Sequence, residues 1–210
     1  MKVRTRAAAY IAAVMLACAA MPAFAQAADT DAAATDAAAT DVGGDPQMGR
    51  FVDYMMEMTQ IQRTLDVTLK QRLAEDAEVA AMSEGFRFDI TPIAQAIAAG
   101  LESKITQEDL AECIAFIDSP EGASVQALSR SSDGLDAFTQ RLETLPAEQH
   151  PKVLAFFNAP CTARFTQYLG SDETQDRIRA ITQVAVCDHL RAKGNKQALE
   201  RLGASGYCKG

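Results

Sequence analysis

From residue 48 onward, apolar side chains recur every three or four positions. Met48, Phe51, Met55 and Met58 make one stripe, and Ile61, Leu65, Leu69 and Leu73 make the next. The spacing continues in Ile93, Ile97 and Leu101, in Leu110, Cys113, Ile114 and Ile117, in Leu135, Phe138 and Leu142, and in Ile178, Ile181 and Ala185. A period near 3.6 gathers such residues on one side of an α-helix, whereas a half-buried strand needs strict alternation. The chain has no run of alternating β-branched residues flanked by hairpin turns. The pattern therefore predicts an all-α fold.

The residues between the stripes agree. Asp45-Pro46, Thr91-Pro92 and Ser119-Pro120 each place a capping oxygen just before a proline, whose missing N–H and preset φ suit the first turn of a helix. Thr106, three residues before Asp109, resembles a capping box. Gly85, Gly100, Gly170 and Gly194 stand where helices would end. The expected architecture is an irregular bundle of about nine or ten short helices with tight connections.

Within it, one pattern is used twice, forty residues apart. Residues 105–120 read ITQEDLAECIAFIDSP and residues 145–160 read LPAEQHPKVLAFFNAP. Glu108 aligns with Glu148, Ala115 with Ala155, Phe116 with Phe156 and Pro120 with Pro160, and Ile105/Leu145, Cys113/Val153, Ile114/Leu154 and Asp118/Asn158 are conservative pairs. Each copy reads as a helix that ends at a phenylalanine, turns, and restarts at a proline. One such hairpin could not bury its own apolar face, but two stacked hairpins could. The expectation is a duplicated helical hairpin, with copies near 105–130 and 145–170.

Residues 105–122 also resemble the signature of a family of secreted bacterial proteins classed as domain of unknown function 2059. The residues that carry the resemblance are Glu108/Asp109-Leu110, Phe116, Ser119, Pro120 and Gly122, while Ile117 stands where that pattern has an aromatic. The second copy keeps Phe156-Phe157 and Pro160 but has Ala159 and Thr162 in place of Ser and Gly. The resemblance implies an exported, all-helical envelope protein and brings no established activity or catalytic residues.

The N-terminus points to the same compartment. Lys2, Arg4 and Arg6 precede an almost uninterrupted apolar stretch from Ala7 to Ala20, and Ala23-Phe24-Ala25 follows. A basic start, an apolar stretch shorter than a membrane span and small residues two apart fit a signal peptide over 1–25, cleaved after Ala25. Lipidation of Cys18 after Met15-Leu16-Ala17 is the minor alternative, since Met15 stands where a leucine is usual. Residues 26–46 repeat Asp-Ala-Ala-Ala-Thr and carry five Asp with no base and no large apolar group. Such a segment cannot offset the entropy of ordering, so it reads as a disordered acidic tether ahead of one helical domain over 47–210.

Charge narrows the partners. Loss of residues 1–25 removes three cations and no anion, taking the net charge from −8 to −11. An acidic chain without a basic cluster gains nothing from phosphate backbones or anionic membranes, which excludes nucleic acid as an expected partner. No later apolar run is long enough to span a bilayer.

Four cysteines remain after residue 25: Cys113, Cys161, Cys187 and Cys208. An even count in an oxidising compartment invites two disulfides. Cys187–Cys208 is favoured, across a chain reversal at Gly194, at a stabilisation of roughly 3 kcal/mol. Cys113–Cys161 would complete the set, Cys161–Cys187 is its main competitor, and Cys113 on an apolar stripe also reads as a buried thiol.

Catalytic patterns are missing from the sequence. It has no Cys-x-x-Cys, Gly-x-Ser-x-Gly, P-loop or dinucleotide fingerprint, and only two histidines, His150 and His189. His150 reads as an exposed helix-start residue. Cys187-Asp188-His189 are adjacent, whereas metal ligands on a helix sit three or four apart. Ser129, Ser131 and Ser132 fall in an expected turn and read as caps. No catalytic residue, metal or cofactor is expected. Met48, Met55, Met56 and Met58, with Phe51 and Tyr54, make a soft face that reads first as core and second as a binding surface. The expected function is a non-enzymatic module that binds or scaffolds another envelope protein. A carrier of an apolar ligand and an enzyme with an unrecognised site are the alternatives.

Overall fold

The computed structural model describes residues 45–74, 88–204 and 207–208, without the side chains of 69–74 and 201. The expected signal peptide, most of the expected tether, and Gly85, Leu69 and Leu73 as side chains lie outside that set. The described residues form ten α-helices and no strand. In chain order they are α1 (Pro46–Met58), α2 (Ile61–Ala74), α3 (Thr91–Leu101), α4 (Gln107–Ile117), α5 (Pro120–Arg130), α6 (Leu135–Leu142), α7 (His150–Phe157), α8 (Pro160–Leu169), α9 (Asp172–Ala192) and α10 (Lys196–Ala204).

α1 is the hub. It packs against α2, α3, α4 and α5, and Met48, Phe51, Val52, Tyr54, Met55, Met56 and Met58 are all buried. Seven buried residues in a helix of 13 exceed what one face supplies, so the methionine-rich surface is core rather than a binding face. Unbranched thioethers suit a position touched from several directions, because they fill irregular gaps. Each such side chain removed from water contributes about 1.5–3 kcal/mol before the entropy of ordering is counted.

Caps set the helix starts. Asp45 accepts from the Gln47 N–H at 2.9 Å, so the first turn takes in two residues that the sequence assigns to the tether. Ser119 Oγ accepts from the Gly122 N–H at 3.1 Å. The Thr106 hydroxyl accepts from the Asp109 N–H at 3.1 Å and donates to the Asp109 carboxylate at 2.8 Å. At α3 the expected cap shifts: Thr91 is already helical, and its N–H is accepted by Asp89 at 3.0 Å. The Asp two residues upstream satisfies the N–H of Thr91 itself, an earlier orphan donor than the ones a capping Thr91 hydroxyl would have reached.

The expected helix-ending glycines have differing causes. Gly194 adopts φ 68°, and the Asn195 N–H reaches back to the Leu190 carbonyl at 3.1 Å, which is the left-handed ending that favours glycine. Gly100 lies inside α3, where a Cβ would collide with the Tyr168 ring. Its need for glycine is set by a neighbour distant in sequence.

Two disulfides close the fold. Cys113 on α4 is joined to Cys161 on α8, with Cα atoms 6.6 Å apart. Cys187 on α9 is joined to Cys208, with Cα atoms 5.7 Å apart. The competing pair Cys161–Cys187 and the free thiol at Cys113 are excluded by these partners.

Candidate functional site

The hairpin signature residues serve the fold. Pro120 and Pro160 are the first residues of α5 and α8. Ser119 Oγ donates to the Phe116 carbonyl at 2.7 Å while it caps α5. Gly122 is buried, and a Cβ there would overlap the carbonyls of Phe116 and Ile117. The Tyr54 hydroxyl donates to the Gly122 carbonyl at 3.1 Å, and burial together with Glu57 pushes its pKa up, so it stays a neutral donor. Phe116 stacks on Phe156 at 4.2 Å between ring centroids, and Phe156 meets Tyr54 edge-on at 5.7 Å.

A broad concavity lies elsewhere among the described residues. α1, α2, α3 and the end of α5 border an open cleft of about 600 Å³. Its lining is apolar at Met56, Ile90 and Ala94 and polar at Asp53, Glu57, Gln60, Arg63, Asp66 and Arg130. Asp53 and Glu57 are four residues apart on α1 and so share a face of it. Glu57 is held by Arg130, with one contact at 3.1 Å, and by Gln126 at 2.8 Å. Arg63 donates to the Ser132 carbonyl at 3.1 Å and to Asp133 at 3.0 Å. Ser129 donates to the Glu57 carbonyl at 2.9 Å, at the end of α1, where the same carbonyl accepts from the Gln60 N–H at 3.1 Å.

Three acceptors in the cleft are less well served. Gln60 sits in the turn between α1 and α2 at φ 50°, a conformation that non-glycine residues adopt uncommonly. Its amide N–H donates to the Ser129 carbonyl at 3.3 Å, and its Oε1 is buried without a donor. Asp53 and Asp66 have no ion pair among the described residues. Partial burial pushes the Asp53 carboxyl up from its ordinary value. A site of this make-up accepts N–H groups or a cation. Among the described residues it has no nucleophile beside a base, since no histidine lines it and its two serines are committed to carbonyls.

The remaining expected residues are dispersed. Ser129 lies in the last turn of α5 rather than in a turn, and it is buried because its hydroxyl closes the end of α1. Ser132 donates to the Leu128 carbonyl at 2.6 Å. His150 is the exposed first residue of α7. Asp188 is committed to Arg191 at 2.8 Å, and no cluster of three metal-ligating side chains occurs among the described residues. No described helix is long and apolar enough to cross a membrane. The cleft residues Asp53, Gln60 and Asp66 went unnoticed in sequence, because a polar residue outside an apolar stripe looks the same whether it faces solvent or a cleft.

No family model matches the chain, and none of the curated proteins or solved structures compared with it matches either.

Proposed function

We propose that this chain is an exported envelope protein of the periplasm, a non-enzymatic helical module that binds another protein through the cleft between α1, α2, α3 and α5. The observation that carries this reading is the make-up of the cleft: the carboxylates of Asp53 and Asp66, without ion pairs among the described residues, border an apolar patch of Met56, Ile90 and Ala94. Such a surface is completed by a partner segment that brings N–H donors or a basic side chain. Two disulfides support an oxidising compartment. The carrier reading gains no support from the apolar pocket bordered by Ile61, Leu65, Leu169 and Ile178, whose volume of about 20 Å³ is too small for a lipid tail.

The test is capture of partners from periplasmic extract by the purified protein and by its D53A/Q60A/D66A variant. Proteins and lipids retained by each are identified by mass spectrometry. A protein retained by the parent and lost by the variant supports the reading, and equal retention by both refutes the cleft as the docking site.

The family resemblance at 105–122 and the duplication belong to the same proposal. Packing supports the duplication at three places. Phe116 and Phe156, aligned in the two copies, stack on each other, as equivalent residues beside a two-fold axis do. The α4–α8 seam carries the Cys113–Cys161 bond, and the corresponding α7–α5 seam carries the ion pair of Lys152 with Glu121 at 2.6 Å. Finally, each phenylalanine carbonyl receives one hydroxyl. Ser119 donates to Phe116 in the first copy, and Thr162 donates to Phe156 at 2.9 Å in the second, where Ala159 has no hydroxyl.

A further inference from the structure

We propose that α10 is a flap latched onto α9 by the Cys187–Cys208 disulfide, and that a dithiol reductant releases it while the body of the bundle stays folded. Three observations carry this inference. The apolar contacts of α10 are separate from the main core. Val186, Leu190 and Ala198 form their own small cluster, with Leu199, Leu202 and Tyr207 half-buried against it. The chain reverses between α9 and α10 at Gly194, whose φ of 68° makes a tight, side-chain-free hinge. Beyond α10, the segment bearing Cys208 is held to Leu202 by the N–H groups of Tyr207 and Cys208 at 2.8 and 3.1 Å, and to Gln183 through the Tyr207 carbonyl.

The two disulfides therefore sit in unlike surroundings. Cys113 and Cys161 belong to the continuous core shared by α1, α3, α4, α7 and α8, so a reductant reaches them only when that core opens. Cys187 and Cys208 are equally covered, at 3 % and 6 % exposure. Neither belongs to the main core, however, and among the described residues the neighbouring apolar cluster is the small one of Val186, Leu190 and Ala198 with Leu199, Leu202 and Tyr207; small contact networks supply the low-energy local openings of a protein. Exchange proceeds by attack of one reductant thiolate on Cys208 Sγ, with Cys187 Sγ leaving as a thiolate that takes up a proton. The second reductant thiol then displaces Cys208 from the mixed disulfide. Two electrons pass to the protein, which gains two thiols, and the reductant becomes a disulfide. Release bares Val186 and Leu190, which are 6 % and 3 % exposed under α10.

Hydrogen exchange followed by mass spectrometry on the purified oxidised protein, with and without a dithiol, tests the latch. Alkylation mapping in the same samples reports which bond is open. The expected result is that Cys187–Cys208 is reduced first. Amides of α10 should then lose protection by about a hundredfold, the order expected from removing a cross-link across 21 residues. Amides of α1, α4 and α5 should keep theirs, and the C187S/C208S variant should reproduce that pattern without reductant. Reduction of Cys113–Cys161 first, retained protection of α10 after its bond is cut, or simultaneous loss of protection in α1 and α4 would each overturn the proposal. Failure of the C187S/C208S variant to fold counts with the last of these.

Discussion

Replacing Cys113 and Cys161 together by alanine should cost this protein much of its stability. The bond joins residues 48 apart, and the chain between them contains α5, α6 and α7. Cutting it frees that whole loop in the unfolded ensemble, and the loop-closure relation gives about 4 kcal/mol at 25 °C, against about 3.3 kcal/mol for the 21-residue closure at Cys187–Cys208. Both sulfurs are buried, at 1 % and 0 % exposure, so the alanines also leave a small void whose cost adds to the first figure. A domain holds about 5–15 kcal/mol in total, which leaves the variant folded but marginal. Urea denaturation followed by helical circular dichroism measures the effect. With a slope of about 2 kcal/mol per molar, the midpoint should fall by about 2 M. A fall below about 0.5 M at unchanged slope would refute the argument, because it would mean that the unfolded chain already holds α4 near α8.

Gly122→Ala should destabilise by about 2–3 kcal/mol in the same assay, since the new Cβ overlaps two backbone carbonyls that cannot move without uncoupling α4 from α5. Asp53→Asn should raise stability at neutral pH. The folded-state pKa of Asp53 is raised by burial, so the ionised form opposes folding above that pKa, and the penalty lifts as pH falls through it. A pH series in which the variant's advantage grows on acidification would contradict this. In the C113A/C161A background, Glu121→Cys with Val153→Cys should form an intramolecular disulfide under oxidation, because these positions correspond to Cys161 and Cys113 in the duplicated reading. Two free thiols by mass after oxidation would count against the duplication.

Much of the helical framework was legible because its signals are local. The apolar period places Ile93, Ile97 and Leu101 on one buried face, and Asp45, Thr106 and Ser119 cap through bonds that span two or three residues. Such features depend only on neighbours along the chain. Thr91 misled because two short polar residues, Asp89 and Thr91, compete for the same start, and only the backbone path chooses between them.

What the sequence by itself determined, then, is an all-α chain, where most of its helices begin, and four cysteines suited to two bonds. Tertiary structure alone decided the rest. It surrounded α1 and so turned a methionine-rich stripe into core. It gave Gly100 its purpose through Tyr168, and it drew Ser129 onto the end of α1 from 72 residues away. It also brought Asp53, Gln60 and Asp66 to one cleft. Polar positions on a helix carry no periodic mark of what they face, so their roles emerge only when distant segments meet.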